Sequence, residues 1–394
     1  MNMLNEALAI KDTLVAHRRY LHQNPETGLD LPVTSAYVEE QLKKMGYEPQ
    51  RMGSSGLVAT VGKGGGKTFL LRADMDALPV VEAADIDFKS TNGNMHACGH
   101  DMHTTSLLGA AQLLKAHEAE IEGTVKLMFQ PAEETMDGGK MMVEAGICDG
   151  VDAAMAMHVG TAVEQPVGSI AVTHPGSVSA AVDWFEIHVT GKGCHGAMPH
   201  LGIDPINVSA HIITALQSIN ARNLDPADNL VLTIGQIHSG NTGNVIPNDA
   251  MMSGTIRTLK NETRAMVKAR MEKLVKTVGD SFEADVKVVW GSGCPVLTRD
   301  AEVNAQVLTY LKGLEGMNVV DLTGAGANKG MASEDFACVA NKVPSTMVSL
   351  YVGRPSEGYV RPLHHPMAKF NEDALPYGAA AYAHVAMEWL KNNK

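Results

Sequence analysis

One short stretch of the sequence is dense in side chains that bind metal ions. HACGHDMH, residues 96–103, holds three histidines, a cysteine and an aspartate within eight positions. Imidazole, thiolate and carboxylate groups are ligands of first-row metals, and they also orient one another around such ions. For any single residue here, a polar loop that caps the next helix through Asp101 explains its presence equally well. The density of the whole group predicts a metal site.

Two acidic motifs lie near the ends of predicted strands. RADMDALP covers residues 72–79, and QPAEE (130–134) follows the apolar run VKLMFQ. Adjacent carboxylates repel each other, and on extended backbone their side chains point to opposite sides. We therefore expect one glutamate to bind metal and the other to act as a general base toward a metal-bound water. The alternative is an exposed surface pair, and two glutamates alone would be weak support.

Further histidines lie in comparable positions. His158 ends the apolar run DAAMAMHV, and His364 and His365 are adjacent in RPLHHPMAKF. A lone histidine at a strand end is more often structural than a metal ligand. Here the opposite interpretation is favoured, because the same chain already supplies a Cys/His loop and a carboxylate pair at similar places.

A second polar stretch, GKGCHGAMPH (191–200), places His195 between glycines that let the backbone approach a ligand closely. It is followed by GNTGNVIPND (240–249) and GTIRT (254–258). These residues also have structural alternatives: His195 as the cap of a turn, and Arg257 as a solvated strand residue.

Alternating strands and helices must position these groups. Such alternation predicts an α/β layer architecture, in which functional loops follow the carboxyl ends of strands. In the first part of the chain we expect a helix at 33–45, a strand pair at 56–62 and 67–76 joined by a glycine turn, a helix at 104–117, and strands at 125–130 and 152–159.

From about residue 182 the pattern changes to a β-α-β-β-α-β order, which matches a ferredoxin-like split motif. The six elements are predicted at 182–190, 205–221, 230–237, 251–258, 261–279 and 284–290. The larger α/β pattern then resumes. We predict a catalytic domain formed by residues 1–181 and 294–394, with an α+β domain inserted at 182–293.

Composition narrows the functional class. The chain has 394 residues, 45% hydrophobic and 19% charged, as in folded globular proteins. Its net charge of −12, without a Lys/Arg stripe, predicts that it binds neither nucleic acid nor anionic membranes. There is no long apolar run of membrane-spanning length. The first residues read as a helix and not as a signal peptide, and the five scattered cysteines favour a reducing compartment, so we expect a cytoplasmic protein.

Taken together, these motifs resemble those of the M20 metallopeptidases, in the amidohydrolase branch with hippurate hydrolase, N-acyl-L-amino acid amidohydrolases and plant indole-acetyl-amino acid hydrolases. The resemblance runs through HRRYLHQNPE, RADMDALP, HACGHDMH, QPAEE, HV, HGAMPH, NVIP, GTIRT, SEDF and LHHP in order. It implies a mixed-sheet α/β domain that holds two divalent metals, and an inserted ferredoxin-like lid that also forms a homodimer.

The resemblance also implies roles for individual residues. Glu133 would be the general base, and Asp76 a catalytic or metal-proximal carboxylate. His96, Asp101 and His103 would orient or cap. The implied metal ligands are Cys98, His100, Glu134, His158 and His364, the last chosen over His365 because the family ligand follows the leucine.

In the lid, His195 is similar to a histidine that reaches the partner subunit's active site and stabilises the developing oxyanion. Asn244 and Arg257 resemble residues that hold the substrate's carboxylate or carbonyl, a task that suits the planar guanidinium. One departure is Cys194, where the family usually has glycine.

The expected activity is hydrolysis of the amide bond in N-acyl-L-amino acids by a metal-activated water and a glutamate base. Thiolate ligation favours zinc over magnesium, and the oxygen and imidazole ligands also admit manganese, cobalt or nickel. We expect zinc or manganese. The alternatives are a dipeptidase, a carboxypeptidase or an N-acetyl-diaminopimelate deacetylase of the same family, and a metal-binding protein without activity. Short peptides are therefore also candidate substrates.

Overall fold

The apolar runs of the sequence form the strands and helices of an α/β protein. A computed structural model describes residues 2–325 and 330–394. The α-helices in these ranges are α1 (Met3–Ala9), α2 (Lys11–Gln23), α3 (Pro32–Lys44), α4 (His100–Ala116), α5 (Gly138–Glu144), α6 (Pro205–Ser218), α7 (Asn261–Ser281), α8 (Ala301–Gly313), α9 (Ala337–Ala340) and α10 (Leu375–Asn392). None of the described helices is long and apolar enough to cross a membrane.

The strands of the same ranges are β1 (Gln50–Met52), β2 (Gly56–Val61), β3 (Thr68–Asp74), β4 (Thr124–Gln130), β5 (Ala153–Gly160), β6 (Ile170–Thr173), β7 (Gly176–Ser179), β8 (Ala181–Thr190), β9 (Cys194–His195), β10 (Leu230–Ser239), β11 (Val245–Ile246), β12 (Asp249–Thr258), β13 (Asp285–Cys294), β14 (Leu297–Arg299), β15 (Val319–Leu322) and β16 (Ser345–Tyr351).

Contacts divide the described residues into two units. The larger contains those within 1–176, 298–328 and 335–394, and the smaller those within 177–297 and 329–334. The inserted domain was predicted at 182–293, so the contact-based unit extends a few residues further at both ends. It also takes in a short segment before Asp335, which no sequence pattern indicated.

The larger unit contains an eight-stranded sheet in the order β1-β2-β4-β3-β5-β16-β6-β15. The pairs β3–β4, β3–β5 and β5–β16 are parallel, whereas β1–β2 and β2–β4 are antiparallel. This confirms the predicted mixed-sheet α/β class. Helices α4 and α10 pack together in the same core, where Leu107, Leu108 and Tyr382 are fully buried.

The predicted pairing of the strands at 56–62 and 67–76 is wrong. Both strands form, but β4 lies between them, antiparallel to β2 and parallel to β3. β3 is buried from Phe69 to Asp74, on both faces of the sheet. A strand buried in this way belongs in the interior of a sheet with a neighbour on each edge, and β4 and β5 supply them.

The smaller unit contains an antiparallel four-stranded sheet in the order β10-β12-β8-β13. Its element order, β8-α6-β10-β12-α7-β13, is β-α-β-β-α-β once the two-residue strands β9 and β11 are set aside. Alternate residues of β8, such as Ile187, are buried in one core with Ile212 of α6 and Val267 of α7. The period-two burial explains why these strands were recognisable in the sequence.

Candidate metal centre

Three neighbouring parallel strands bring the candidate residues of the larger unit to one edge of the sheet. β3 lies between β4 and β5, with Asp74 opposite Gln130 and Arg72 opposite Ala156. Because the strands are parallel, their carboxyl ends point the same way. Asp76 and the QPAEE loop therefore leave the sheet beside the end of β5, which carries His158.

The HACGHDMH stretch reaches this edge through a tight turn into a helix. Helix α4 begins at His100, four residues earlier than predicted, and Gly99, not Asp101, is its N-cap. Gly99 has a φ of +86°, and a Cβ there would lie 2.5 Å from Cγ2 of Val159. Both the left-handed backbone and the close approach require glycine. The turn places Cys98 before the helix and His100 in its first turn.

The five predicted ligands lie close together in two overlapping groups. The ligand atoms of Cys98, His100 and His158 lie within 4.8 Å of one another, as do those of Cys98, Glu134 and His364. The Cys98 Sγ is 3.4 Å from Nε2 of His158 and 3.2 Å from Nε2 of His364. Cys98 therefore belongs to both groups, which suits a pair of neighbouring cations.

Two buried atoms of this cluster have no hydrogen-bond partner among the described residues: Nε2 of His100 and Oε1 of Glu134. The other ring nitrogen of His100 donates to the carbonyl oxygen of Asp76 at 2.8 Å, so Nε2 is the nitrogen that can bind a metal ion once it is deprotonated. Leaving such a buried group unsatisfied costs about 1–3 kcal/mol. A cation would satisfy both atoms, and this anchored imidazole is typical of metal ligands. The residues therefore fit divalent metals.

Burial also changes the acidity of the predicted ligands. It raises the pKa of Glu134 to about 7 and the pKa of the Cys98 thiol well above its ordinary value. Both groups bind metal in their deprotonated forms. Metal binding to this cluster would therefore release protons and would strengthen as the pH rises.

Asp76 holds the two glutamates in place. Its Oδ1 accepts from the backbone N–H of Glu133 at 2.9 Å, and its Oδ2 accepts from that of Glu134 at 3.0 Å. Ala132, just before them, has a φ of +56°, a strained value for a non-glycine residue. Each Asp76 oxygen accepts from one of these backbone amides, so Asp76 fixes the backbone of the two glutamates in this geometry.

Asp101 and His103 orient their surroundings, as expected for the rest of the motif. Asp101 accepts from Nε of Arg18 at 2.9 Å and pairs with Nδ1 of His22 at 2.8 Å. Two residues of the HRRYLHQNPE motif thus hold the start of α4 in place. His103 accepts from the N–H of Val159 through Nε2. Burial lowers the pKa of His103 to about 4, which leaves it neutral.

His96 differs from this expectation. It is 1% exposed, and neither ring nitrogen has a hydrogen-bond partner among the described residues. Its ring lies 6.4 Å from that of His22, and among the described residues it forms no side-chain hydrogen bond that would orient a ligand or cap α4.

The three predicted lid residues all lie in the smaller unit. His195 is exposed on β9, and its Nδ1 accepts from the N–H of Ala197 at 3.0 Å, a local contact of the turn-capping kind. The carbonyl of Asn244 accepts from Gly196 at 2.8 Å, which brings Asn244 beside the His195 loop. Arg257 instead donates through Nη1 to the Met331 carbonyl at 2.8 Å and to Ser333 Oγ at 3.0 Å.

Comparison with known proteins agrees with the motifs. The sequence profile of peptidase family M20/M25/M40 matches residues 70–388. Thermostable carboxypeptidase 2 of Saccharolobus solfataricus is 38% identical over 98% of this chain and 97% of its own. N-acetyl-L-cysteine deacetylase of Bacillus subtilis is 35% identical over 93% of this chain and 85% of its own. The crystal structure of a dinuclear metal binding peptidase of the M20 family from Bacillus subtilis superposes with a TM-score of 0.78 at 32% identity, covering 97% of this chain and 99% of that one.

Proposed function

The chain belongs to peptidase family M20/M25/M40, a family of hydrolases, and from this membership we propose that it is a metallo-amidohydrolase that cleaves N-acyl-L-amino acids into a carboxylic acid and a free amino acid. The observation that carries the proposal is one cluster in which Cys98 belongs to two groups of potential metal ligands, with Glu133 beside the ligand Glu134. A binding protein would have no need of a second carboxylate held next to the ligands.

We assign the ligand role to Cys98, His100, Glu134, His158 and His364, which would hold two divalent cations per chain. When bound, such cations acidify water and polarise the amide carbonyl. Their donor set of thiolate, imidazole and carboxylate suits zinc or manganese and also admits cobalt and nickel.

Glu133 moves the proton in this proposal. Asp76 fixes the backbone of Glu133 by accepting its N–H. Oε2 of Glu133 lies 3.8 Å from Nε2 of His100, so this carboxylate lies at the cluster while Glu134 is the proposed ligand. Glu133 takes a proton from the attacking water and delivers it to the leaving amine nitrogen. A single carboxylate can perform both transfers because the nitrogen becomes basic once the amide bond begins to break.

We also propose roles for the smaller unit. His195 donates a hydrogen bond to the developing oxyanion, in the active site of a partner subunit of a homodimer formed through this unit. Asn244 and Arg257 hold the substrate carboxylate or carbonyl. Toward the described residues Arg257 donates only through Nη1, to Met331 and Ser333, which leaves Nε and Nη2 for the substrate. The odd number and wide spacing of the five cysteines support a cytoplasmic location.

A carboxypeptidase activity is the second candidate, because the Saccharolobus relative bears that name while the Bacillus relative is a deacetylase. A substrate panel separates the two. N-acetyl, N-benzoyl and indole-acetyl amino acids, dipeptides and N-acetyl-diaminopimelate would be assayed with zinc, manganese, cobalt and nickel. We expect metal-dependent release of free amino acid from at least one N-acyl amino acid, faster than from any dipeptide. Cleavage of peptides alone would support a carboxypeptidase or dipeptidase activity instead.

A further inference from the structure

Arg72 is a fully buried charge that the proposed reaction does not use. It lies in β3, in the otherwise apolar run FLLRA, and its side chain has no solvent exposure. Its Nε donates to Oε1 of Gln130 at 2.9 Å, Nη1 to Oδ2 of Asp74 at 2.7 Å, and Nη2 to Oδ1 of Asp335 at 2.9 Å. Burying an ion costs several kcal/mol of folding free energy unless partners of this kind compensate the charge. Arg72 therefore depends on these three contacts.

One arm of this network leads to the loop that carries the two glutamates. The second oxygen of Asp335 accepts from the N–H of Gly139, in the first turn of α5, at 2.7 Å. The loop thus lies between two fixed points: Asp76 binds the amides of Glu133 and Glu134, and Asp335 binds the amide just after the loop. Arg72 orients Asp335 by holding its other oxygen.

The other arm leads to the end of β5. Asp74 accepts from Nδ1 of His103 at 2.6 Å, and Nε2 of His103 in turn accepts from the N–H of Val159 at 2.8 Å. Val159 follows His158, and the rings of His103 and His158 are 4.6 Å apart in an edge-on arrangement. Because Nε2 accepts a hydrogen bond, His103 is held as the tautomer that donates to Asp74. Arg72 holds the second oxygen of this Asp74.

We propose that Arg72 is a positioning residue of the metal centre: one guanidinium binds both Asp335, which supports the glutamate loop, and Asp74, which supports the end of β5 at His158. It thereby keeps the ligands of the two groups in their relative positions. The inference rests on the proposed function for its effect on turnover, but its effect on metal affinity does not depend on any substrate. All residues of both arms lie in the larger unit.

The conservative variant Arg72→Lys tests this role. Lysine keeps the positive charge but has a single nitrogen on a flexible stem, so it cannot bind Gln130, Asp74 and Asp335 in the fixed planar geometry. Loss of groups that orient metal ligands typically costs about 10–100-fold in metal affinity or activity. We expect the manganese or zinc dissociation constant, measured by competition with a chromophoric chelator, to rise by about 10–100-fold. At saturating metal, kcat should fall in the same range while KM stays nearly unchanged.

Arg299→Lys is the matched control. Arg299 is 9% exposed in the same unit, and it donates to the carbonyl of Met347 and the hydroxyl of Thr173, away from the ligand loops. If its variant loses metal affinity as much as Arg72→Lys does, the effect is general destabilisation and the proposal is wrong. The proposal is equally wrong if folded Arg72→Lys, checked by circular dichroism, binds metal and turns over as the wild type does.

Should Arg72→Lys fail to fold, Asp335→Asn decides by the same criteria. Asn has nearly the same shape as Asp, but it places an NH₂ group where one of the two Asp335 oxygens accepts a hydrogen bond. The variant therefore loses either the hydrogen bonds from Arg72 and Gln130 or the one from Gly139, and either loss breaks this arm. A wild type that binds two metals but hydrolyses no N-acyl amino acid would contradict the proposed function alone. A wild-type metal affinity in the variants would contradict the positioning role alone.

Discussion

Replacing Glu133 with Gln should lower kcat by about 100–10,000-fold, the range that a positioned general base contributes, while the metal content stays at the wild-type value. Gln is nearly the same size and keeps the backbone N–H that Asp76 accepts. It cannot take the proton from water or return it to the leaving nitrogen. The measurement is steady-state turnover at saturating metal, together with metal content by atomic emission after dialysis.

The neighbouring variant Glu134→Gln is the matched control. It makes the same chemical change one residue away, on the carboxylate whose Oε1 lies 3.5 Å from Nε2 of His364. It should lose bound metal as well as activity, since a neutral amide is a poor ligand. If Glu133→Gln loses metal and Glu134→Gln keeps it, the ligand and base roles must be exchanged. Turnover that survives in Glu133→Gln would exclude the base role.

Replacing His195 with Ala should lower kcat by about 100–1,000-fold, as loss of one oxyanion donor does, with a much smaller change in KM. A donor to the developing oxyanion acts mainly in the transition state, so the loss belongs in kcat. His195 is exposed, and stability should therefore be unaffected. The control is His200→Ala, a change at an exposed histidine five positions further along the chain, and it should retain wild-type kinetics. A loss confined to KM would refute the oxyanion role.

Action across a dimer has its own test. In a heterodimer of Glu133→Gln and His195→Ala subunits, one of the two sites would combine an intact Glu133 with an intact His195 from the partner. Mixing the inactive variants should therefore restore activity. No recovery, with subunit exchange verified by mass spectrometry, would mean that His195 acts within its own subunit or has no role.

The proposed ligands were recognisable as a group because packing rarely explains such chemistry, whereas the role of each residue followed from the family resemblance. Cys98, His100 and His158 stood out by residue type, and His158 also by its position near a strand end, and the structure brings the three together. The sequence could not show which residues of HACGHDMH support the ligands, because their partners are distant in the chain. Asp101 forms hydrogen bonds with Arg18 and His22, which lie in a helix about 80 positions earlier. No local spacing in the sequence indicates these hydrogen bonds.

Other features could not be read locally. The pairing of β2 with β3 was wrong because a later strand, β4, separates them, and strand order depends on long-range burial. The segment before Asp335 joins the smaller unit through contacts such as Arg257 with Met331, which follow only from the fold. Arg72 did carry a signal, since a charge inside an apolar strand must be paired, but the identity of its partners required the structure.

Metal titration of the metal-free protein tests whether hydrolysis depends on two bound metal ions. Chelator-treated protein would receive increasing manganese or zinc, with bound metal and release of amino acid from an N-acyl substrate measured on the same samples. We expect no release of amino acid without metal, a rise in release as metal binds, and saturation at two equivalents of metal per chain. Full activity in the metal-free protein, or binding of two equivalents without hydrolysis of any N-acyl substrate in the panel, would contradict this expectation.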